Sequence, residues 1–273
     1  MSLRDELNFR ARLWAKMHGC MAAELGGEAS SVLFGCNEAG RRDNFLPEVH
    51  AEILARPAWA RRLEKVHTAY RRSRARADWP WRELDAAVSS DALLMNIFCH
   101  PASSRNTALH ALLGEAAGSE PEFGIRPRTP LASGRGDTTE IDMRIGHLLV
   151  EAKLTESDFQ IAPERLIHRY RDIEEVIDIA SLPRLEDGRF PGYQLVRGAL
   201  AAHATGLSFA VLCDARRPDL IESWLQVQRC IRPLELRIRL KLLTWQEIAA
   251  TLESGHQGFL GARYGIFPSS DIR

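Results

Sequence analysis

The sequence predicts an α/β protein. A mixed sheet with flanking helices is expected over residues 89–273, preceded by a helical extension over residues 1–88. Three observations carry this. Residues 139–154 alternate apolar and polar side chains about a central Gly146-His147, the period of a half-buried strand pair. Residues 209–213, Phe-Ala-Val-Leu-Cys, form a short continuous apolar run of the kind found in a buried central strand. Segments of helical spacing lie between and around these, so helix and strand interleave from Ser89 onward.

Residues 3–25 read as an amphipathic helix, with Leu7, Leu13, Trp14, Met17 and Met21 near helical spacing and Gly26-Gly27 ending it. A polar stretch runs to Asn44, and helical material follows over about 47–76, broken near Pro57. Trp79-Pro80-Trp81 marks a turn into the next unit. Ser89-Ser90 caps a helix carrying Leu93, Leu94, Ile97 and Phe98, which Pro101 stops. Leu109, Leu112 and Leu113 belong to a second helix, and residues 120–126 to a strand bounded by Gly118 and Pro127. A Gly-, Ser- and Thr-rich loop over 130–137 leads into the hairpin.

Beyond it, Pro163 opens a helix carrying Leu166, Ile167, Tyr170, Ile173, Val176 and Ile177, stopped by Pro183. A loop through Pro191-Gly192 leads to a helix over about 193–205, whose Gly198, Ala199, Ala201 and Ala202 allow close approach to a sheet. A helix over 219–231 and a strand over 236–243 follow, and Thr244-Trp245-Gln246-Glu247 is a capping box opening a last helix.

The hairpin carries the chemistry. Gly at the first central position suits a two-residue II′ turn. With that turn Ile145 pairs with Leu148, Met143 with Val150 and Ile141 with Ala152, all apolar. The same register sets Asp142 opposite Glu151 and Glu140 opposite Lys153 on the other face. A like-charge pair directly opposed is unfavourable without a cation. Paired carboxylates on neighbouring strands suit a hard divalent cation such as Mg²⁺ or Mn²⁺, which keeps several waters. Lys153 is then placed to orient an attacking water or offset charge on a phosphate. On the wet face of a strand pair, Glu-x-Lys is also a common stabilising arrangement.

Composition sets the bounds. The 273 residues hold 36 Lys plus Arg against 36 Asp plus Glu, a net charge of zero that advertises no polyanionic partner. No apolar run approaches a membrane span and Met1-Ser2-Leu3-Arg4 lacks a signal-peptide pattern, so no membrane partner and a cytoplasmic setting are expected. Cys20, Cys36, Cys99, Cys213 and Cys230 form no CxxC pair, and the nine histidines show no zinc spacing. Charge is uneven, however. Residues 56–82 carry nine Lys or Arg against Glu64 and Asp78, with Trp59, Tyr70, Trp79 and Trp81 interleaved. Arg61, Arg62, Lys65, Arg71 and Arg72 are candidate phosphate contacts, while the tryptophans suit core anchors.

Asp142, a hairpin and then Glu151-Ala152-Lys153 resemble the signature of the PD-(D/E)XK nuclease superfamily, with Ile141 where the name has proline. The order helix, strand, hairpin, helix, strand over about residues 89–214 resembles its αβββαβ core, which implies a three-layer restriction-endonuclease-like fold. Ser89-Ser90 with Asn96-Ile97-Phe98, and Tyr193-Gln194-Leu195, are similar to the PGN_0703-type restriction endonuclease group. The resemblance implies metal-dependent phosphodiester hydrolysis, with DNA as the expected partner. It also implies an upstream acid completing the metal shell, for which Glu122 is the first candidate and Glu115 and Glu120 are rivals. Gln194 would hydrogen-bond near the metal or the DNA, and Arg197 and His203 share roughly its helix face and could reach phosphate. The reading allows a homodimer. The competing class is a non-catalytic nucleic-acid-binding or assembly protein with the same fold. An enzyme of small phosphorylated substrates is disfavoured because the chain lacks a glycine-rich phosphate loop.

Overall fold

A computed structural model of the chain describes residues 1–27, 30–66 and 79–268. Compactness divides the chain differently from a boundary at residue 88: one unit comprises residues 1–121 together with the chain from 246 onward, the other residues 122–245.

The first unit opens with α1 (Leu3–His18), a strand pair β1 (Ala22–Leu25) and β2 (Ser31–Phe34), then α2 (Pro47–Ala55) and α3 (Pro57–Ala60). The helix expected over 3–25 is shorter because Gly19 enters the left-handed region at φ 64° and its N–H closes on the Ala15 carbonyl. Residues 22–25 pair instead with β2, Ala22 opposite Phe34. The buried row of α1 is Leu7, Asn8, Ala11 and Ala15, and Ala11 and Ala15 pack on Val32 and Phe34. Leu13, Met17 and Met21, expected inside, are exposed. Further along, α4 (Ser90–Phe98) is capped by the Ser89 side chain, which accepts the Ala92 N–H, and α5 (Thr107–Leu113) ends at Gly114. Trp59 and Trp81 are buried, and the Trp59 indole donates to the Pro121 carbonyl at 2.9 Å.

The second unit is built on a five-stranded mixed sheet in the order β3-β4-β5-β6-β7, with strands β3 (Pro121–Ile125), β4 (Ile141–Ile145), β5 (Leu148–Ala152), β6 (Ser208–Cys213) and β7 (Leu240–Thr244). Antiparallel β4 and β5 are joined by the turn at Gly146-His147. Positive φ occurs at Gly146 (54°) and not at His147, the pattern of the expected II′ turn. Parallel pairing of β5 with β6 and of β6 with β7 makes β6 interior, as its continuous apolar run requires.

Between β5 and β7 lie α6 (Glu164–Ile167), α7 (Ile173–Val176), α8 (Tyr193–Thr205), α9 (Pro218–Arg229) and α10 (Leu234–Arg237). The single helix expected after Pro163 is broken because residues 169–171 pair with the β3–β4 loop, through a Leu131–Tyr170 bridge and an Arg171 N–H to Pro130 carbonyl bond. The strand expected over 236–243 begins only at Leu240, since Pro233 starts a helical turn instead. On α8, Gly198 faces the ring of Phe209: a Cβ there would lie 2.2 Å from it, so only glycine lets this helix approach β6 so closely. Leu149, Phe209, Val211, Ala199 and Trp224 form part of the resulting core. The last helices, α11 (Trp245–Ala250) and α12 (Ser254–Tyr264), return the chain to the first unit. A mixed five-stranded sheet with helices is the α/β architecture of the three-layer restriction-endonuclease-like fold.

Candidate active site

The site lies where β4 leaves β5. Met143 pairs with Val150 and Ile145 with Leu148, as spacing predicts. One step further, the next ladder donor, the Ala152 N–H, is taken by the Asp142 carboxylate at 2.8 Å. A side chain here replaces a backbone acceptor, which fixes the carboxylate against β5.

Glu151 is buried among polar partners. Its Oε1 accepts from the Lys153 ammonium at 2.8 Å and from Gln194 Nε2 at 2.6 Å. Lys153 is itself buried, and its backbone is tied on both sides, with the N–H to the Leu212 carbonyl and the carbonyl to the Trp245 indole. Burial by itself would lower the Lys153 pKa. The charges of Glu151, Asp142 and Glu156 and the bond to Glu151 outweigh it and raise the amine above its ordinary value. Lys153 is therefore a fixed cation that donates hydrogen bonds and takes no proton at neutral pH.

Gln194 owes its place to α8. Its N–H bonds the Phe159 carbonyl and that of Tyr193 bonds the Gln160 carbonyl, at 2.9 and 3.0 Å, seating the start of the helix on residues 159–160. A second support comes from side chains distant in sequence. The Asp137 carboxylate accepts from the Tyr170 hydroxyl at 2.6 Å and from Arg169 at 2.8 Å, and the Tyr170 and Tyr193 hydroxyls meet at 3.0 Å. Burial first, and then the bonds to Asp137 and Tyr193, push the Tyr170 pKa up, so it stays a neutral donor. Spacing points to neither Asp137 nor Glu156, and it marks Tyr170 and Tyr193 only as a helix residue and a motif residue, with no link between them. Asp137 and Tyr170 are 33 positions apart, and no period in the sequence links them.

Other candidates fall elsewhere. Glu122 is exposed and lies 4.0 Å from Arg144, and it is not brought to Asp142 and Glu151. Glu120 lies 3.6 Å from Arg56. Arg197, expected to reach phosphate, is corrected by burial: 4 % exposed, it donates to the Glu140 carbonyl at 3.2 Å, because the face of α8 that carries it packs inward. Arg62 and Lys65 both bind the buried Asp91, at 3.0 and 2.7 Å, whereas Arg61 is exposed. Arg71 and Arg72 lie outside the described residues.

Among the described residues no group of three or more His, Cys, Asp or Glu side chains converges as a metal cage. The donor set nevertheless suits a hard cation that retains waters. Asp142 and Glu151 supply carboxylate oxygens, and the buried Gln194 Oε1 beside Glu151 has no hydrogen-bond partner. Three acids, Asp142, Glu151 and Glu156, act on a single ammonium, leaving negative charge to be offset. Among the described residues no helix is long and apolar enough to cross a membrane.

Comparison with curated proteins and with solved structures gives no match. A family model described as "Restriction Endonuclease associating with ARP" matches residues 10–265, a span that contains the hairpin, Lys153 and α8. That match reports this restriction-endonuclease family and not the narrower PGN_0703-type group. Extending over nearly the whole sequence, it establishes that the chain belongs to the REase-ARP family of restriction endonucleases.

Proposed function

We propose that the chain is a nuclease that hydrolyses phosphodiester bonds in DNA with Mg²⁺ or Mn²⁺ held by Asp142 and Glu151. The observation that carries this reading is the meeting of those two carboxylates with the buried Lys153 ammonium and the unpartnered Gln194 Oε1 at one strand end. What a cation supplies at such a site is a polarised phosphoryl oxygen and a water of lowered pKa. Lys153, charged, offsets developing charge on the phosphate and orients the attacking water without taking its proton. Gln194, through Oε1, accepts a hydrogen bond from that water while its amide holds Glu151 in place. Glu122 stands as an outlying acid that would need to leave Arg144 to take part.

The test is incubation of purified protein with plasmid, single-stranded DNA and RNA, each in Mg²⁺, Mn²⁺ or EDTA. Cleavage of DNA with either metal and none in EDTA is the expected result. No cleavage of any of the three would favour a non-catalytic nucleic-acid-binding or assembly protein that keeps the fold. That second reading draws on the association named in the family's description and on the direct Lys153–Glu151 pair.

A further inference from the structure

We infer that the β3–β4 loop and the α6–α7 segment together form the surface that holds the DNA backbone. This rests on the nuclease reading above and supplies the phosphate contacts it needs. Two stretches distant in sequence are stitched together there. The Ala132 N–H bonds the Arg169 carbonyl at 2.9 Å, the Arg171 N–H bonds the Pro130 carbonyl at 3.2 Å, and Leu131 bridges Tyr170.

The joined segments present Arg126, Arg128, Arg135 and Arg165 to solvent. Among the described residues none of these four forms an ion pair or a side-chain hydrogen bond. Three acids within the same segments are already engaged, while Glu174 and Glu175 of α7 are exposed. Asp137 takes Arg169 at 2.8 Å, Glu164 takes Arg184 at 3.1 Å, and Asp172 takes Arg171 at 2.7 Å. Set against Glu174 and Glu175, four unpaired guanidinium groups still leave a local positive excess in a chain of zero net charge. Guanidinium is the group suited to phosphate, being planar, always charged and weakly hydrated.

The loop is also built with some cost. Arg128 takes φ 56°, a left-handed conformation unfavourable for a residue with a side chain, and bonds from Asp137 N–H to Thr129 carbonyl and from Leu131 N–H to Arg135 carbonyl hold the turn around it. From Asp137 the contacts continue through the Tyr170 and Tyr193 hydroxyls to the residue before Gln194, and from Gln194 to Glu151. The basic surface and the paired carboxylates thus belong to one hydrogen-bonded framework. In the 56–82 segment, by contrast, Arg62 and Lys65 are consumed by Asp91.

The experiment measures affinity of the full chain for a fluorescent DNA duplex by anisotropy in EDTA, across about 50–200 mM salt. Replacing all four arginines by glutamine should reduce the slope of log affinity against log salt by about 3 to 4, at about 0.9 per lost phosphate contact. The variant carrying only R126Q, R135Q and R165Q spares the strained Arg128 and should lose about 3. Lysine at the same three positions should restore the slope, since it keeps the charge. Wild-type slope and affinity in the folded glutamine variants would overturn the assignment and leave the nuclease reading standing. Absence of duplex binding by the wild-type chain would overturn both.

Discussion

The Lys153 ammonium lies 2.8 Å from Glu151 Oε1 with both side chains almost wholly out of solvent. Removing the amine would strand a buried carboxylate, a loss that typically costs about 3–5 kcal/mol. Lys153→Met should therefore lower stability by roughly that amount in EDTA. It should also gain more stability from added Mg²⁺ than the wild type does, because a cation would replace the missing charge. Cleavage should be lost at every metal concentration. Denaturant titrations with and without Mg²⁺ check this, and wild-type stability of the variant in EDTA would show that the pair supports nothing.

Asp142 plays a different part. The opposition of two carboxylates should strain the hairpin without a cation, but Lys153 feels both charges and offsets much of that repulsion. Asp142→Asn keeps an oxygen acceptor for the Ala152 N–H and should fold within about 1 kcal/mol of wild type in EDTA. Asp142→Ala leaves that N–H unpaired and should lose about 1–3 kcal/mol more. Both should show a diminished Mg²⁺-induced rise in melting temperature and a fall of at least about 100-fold in cleavage, on the scale of a lost metal contact. A full Mg²⁺ response in Asp142→Asn would remove Asp142 from the ligand set.

Lys153 also fixes an alkaline boundary. Its folded-state pKa is raised above the ordinary 10.5, so the unfolded chain releases the proton first as pH rises. The stabilisation is complete below about pH 10 and is lost only as pH climbs through the higher folded value. Stability near neutrality should not vary with Lys153 titration, and Lys153→Met should flatten the alkaline limb of the curve. Urea unfolding from about pH 7 to 11 tests the sign.

Much of this was legible in the sequence, wherever periodicity and a turn residue agree. Gly146-His147 and the alternation around it place the turn, the register and the side chains of Asp142, Glu151 and Lys153. The apolar run of β6 and the small residues of α8 place the central strand and its covering helix. What escaped was set by tertiary contact. Pairing of Tyr170 with Leu131 overrides a convincing helical period after Pro163, and Gly19 cuts short the one that runs through Met21. Arg197 has the look of a surface cation, and only the packing of α8 shows it to be buried. Glu156 and Asp137 reach their partners from loops, where no period exists to be read.

The seat of α8 gives a packing prediction. Gly198→Ala would place a methyl group 2.2 Å from the Phe209 ring, and neither helix nor central strand can yield freely. A loss of about 1–3 kcal/mol is expected from such overpacking. Because Gln194 lies one turn earlier on the same helix, cleavage should fall more than stability alone explains, and Phe209→Leu in the same chain should recover part of both. Thermal melts of the single and double variants decide it, and a neutral Gly198→Ala would mean that the helix can shift.

A last prediction concerns acid stability in the first unit. His256 is 3 % exposed, its Nε2 has no hydrogen-bond partner, and its ring lies 4.5 Å from that of His100. Burial first, and then the charge of His100, lower its pKa from 6.5 to about 4. The unfolded chain therefore takes up this proton before the folded one does. The resulting stability is fully present above about pH 6.5 and is lost as pH falls toward 4. A drop of that size corresponds to roughly 3 kcal/mol at most. His256→Asn, which carries no titrating ring, should lose stability near neutrality yet show a shallower decline between about pH 6.5 and 4. Urea unfolding at half-unit intervals of pH would separate the two effects. An unchanged slope in that window would show that His256 does not carry the acid sensitivity, and would return it to the carboxylates.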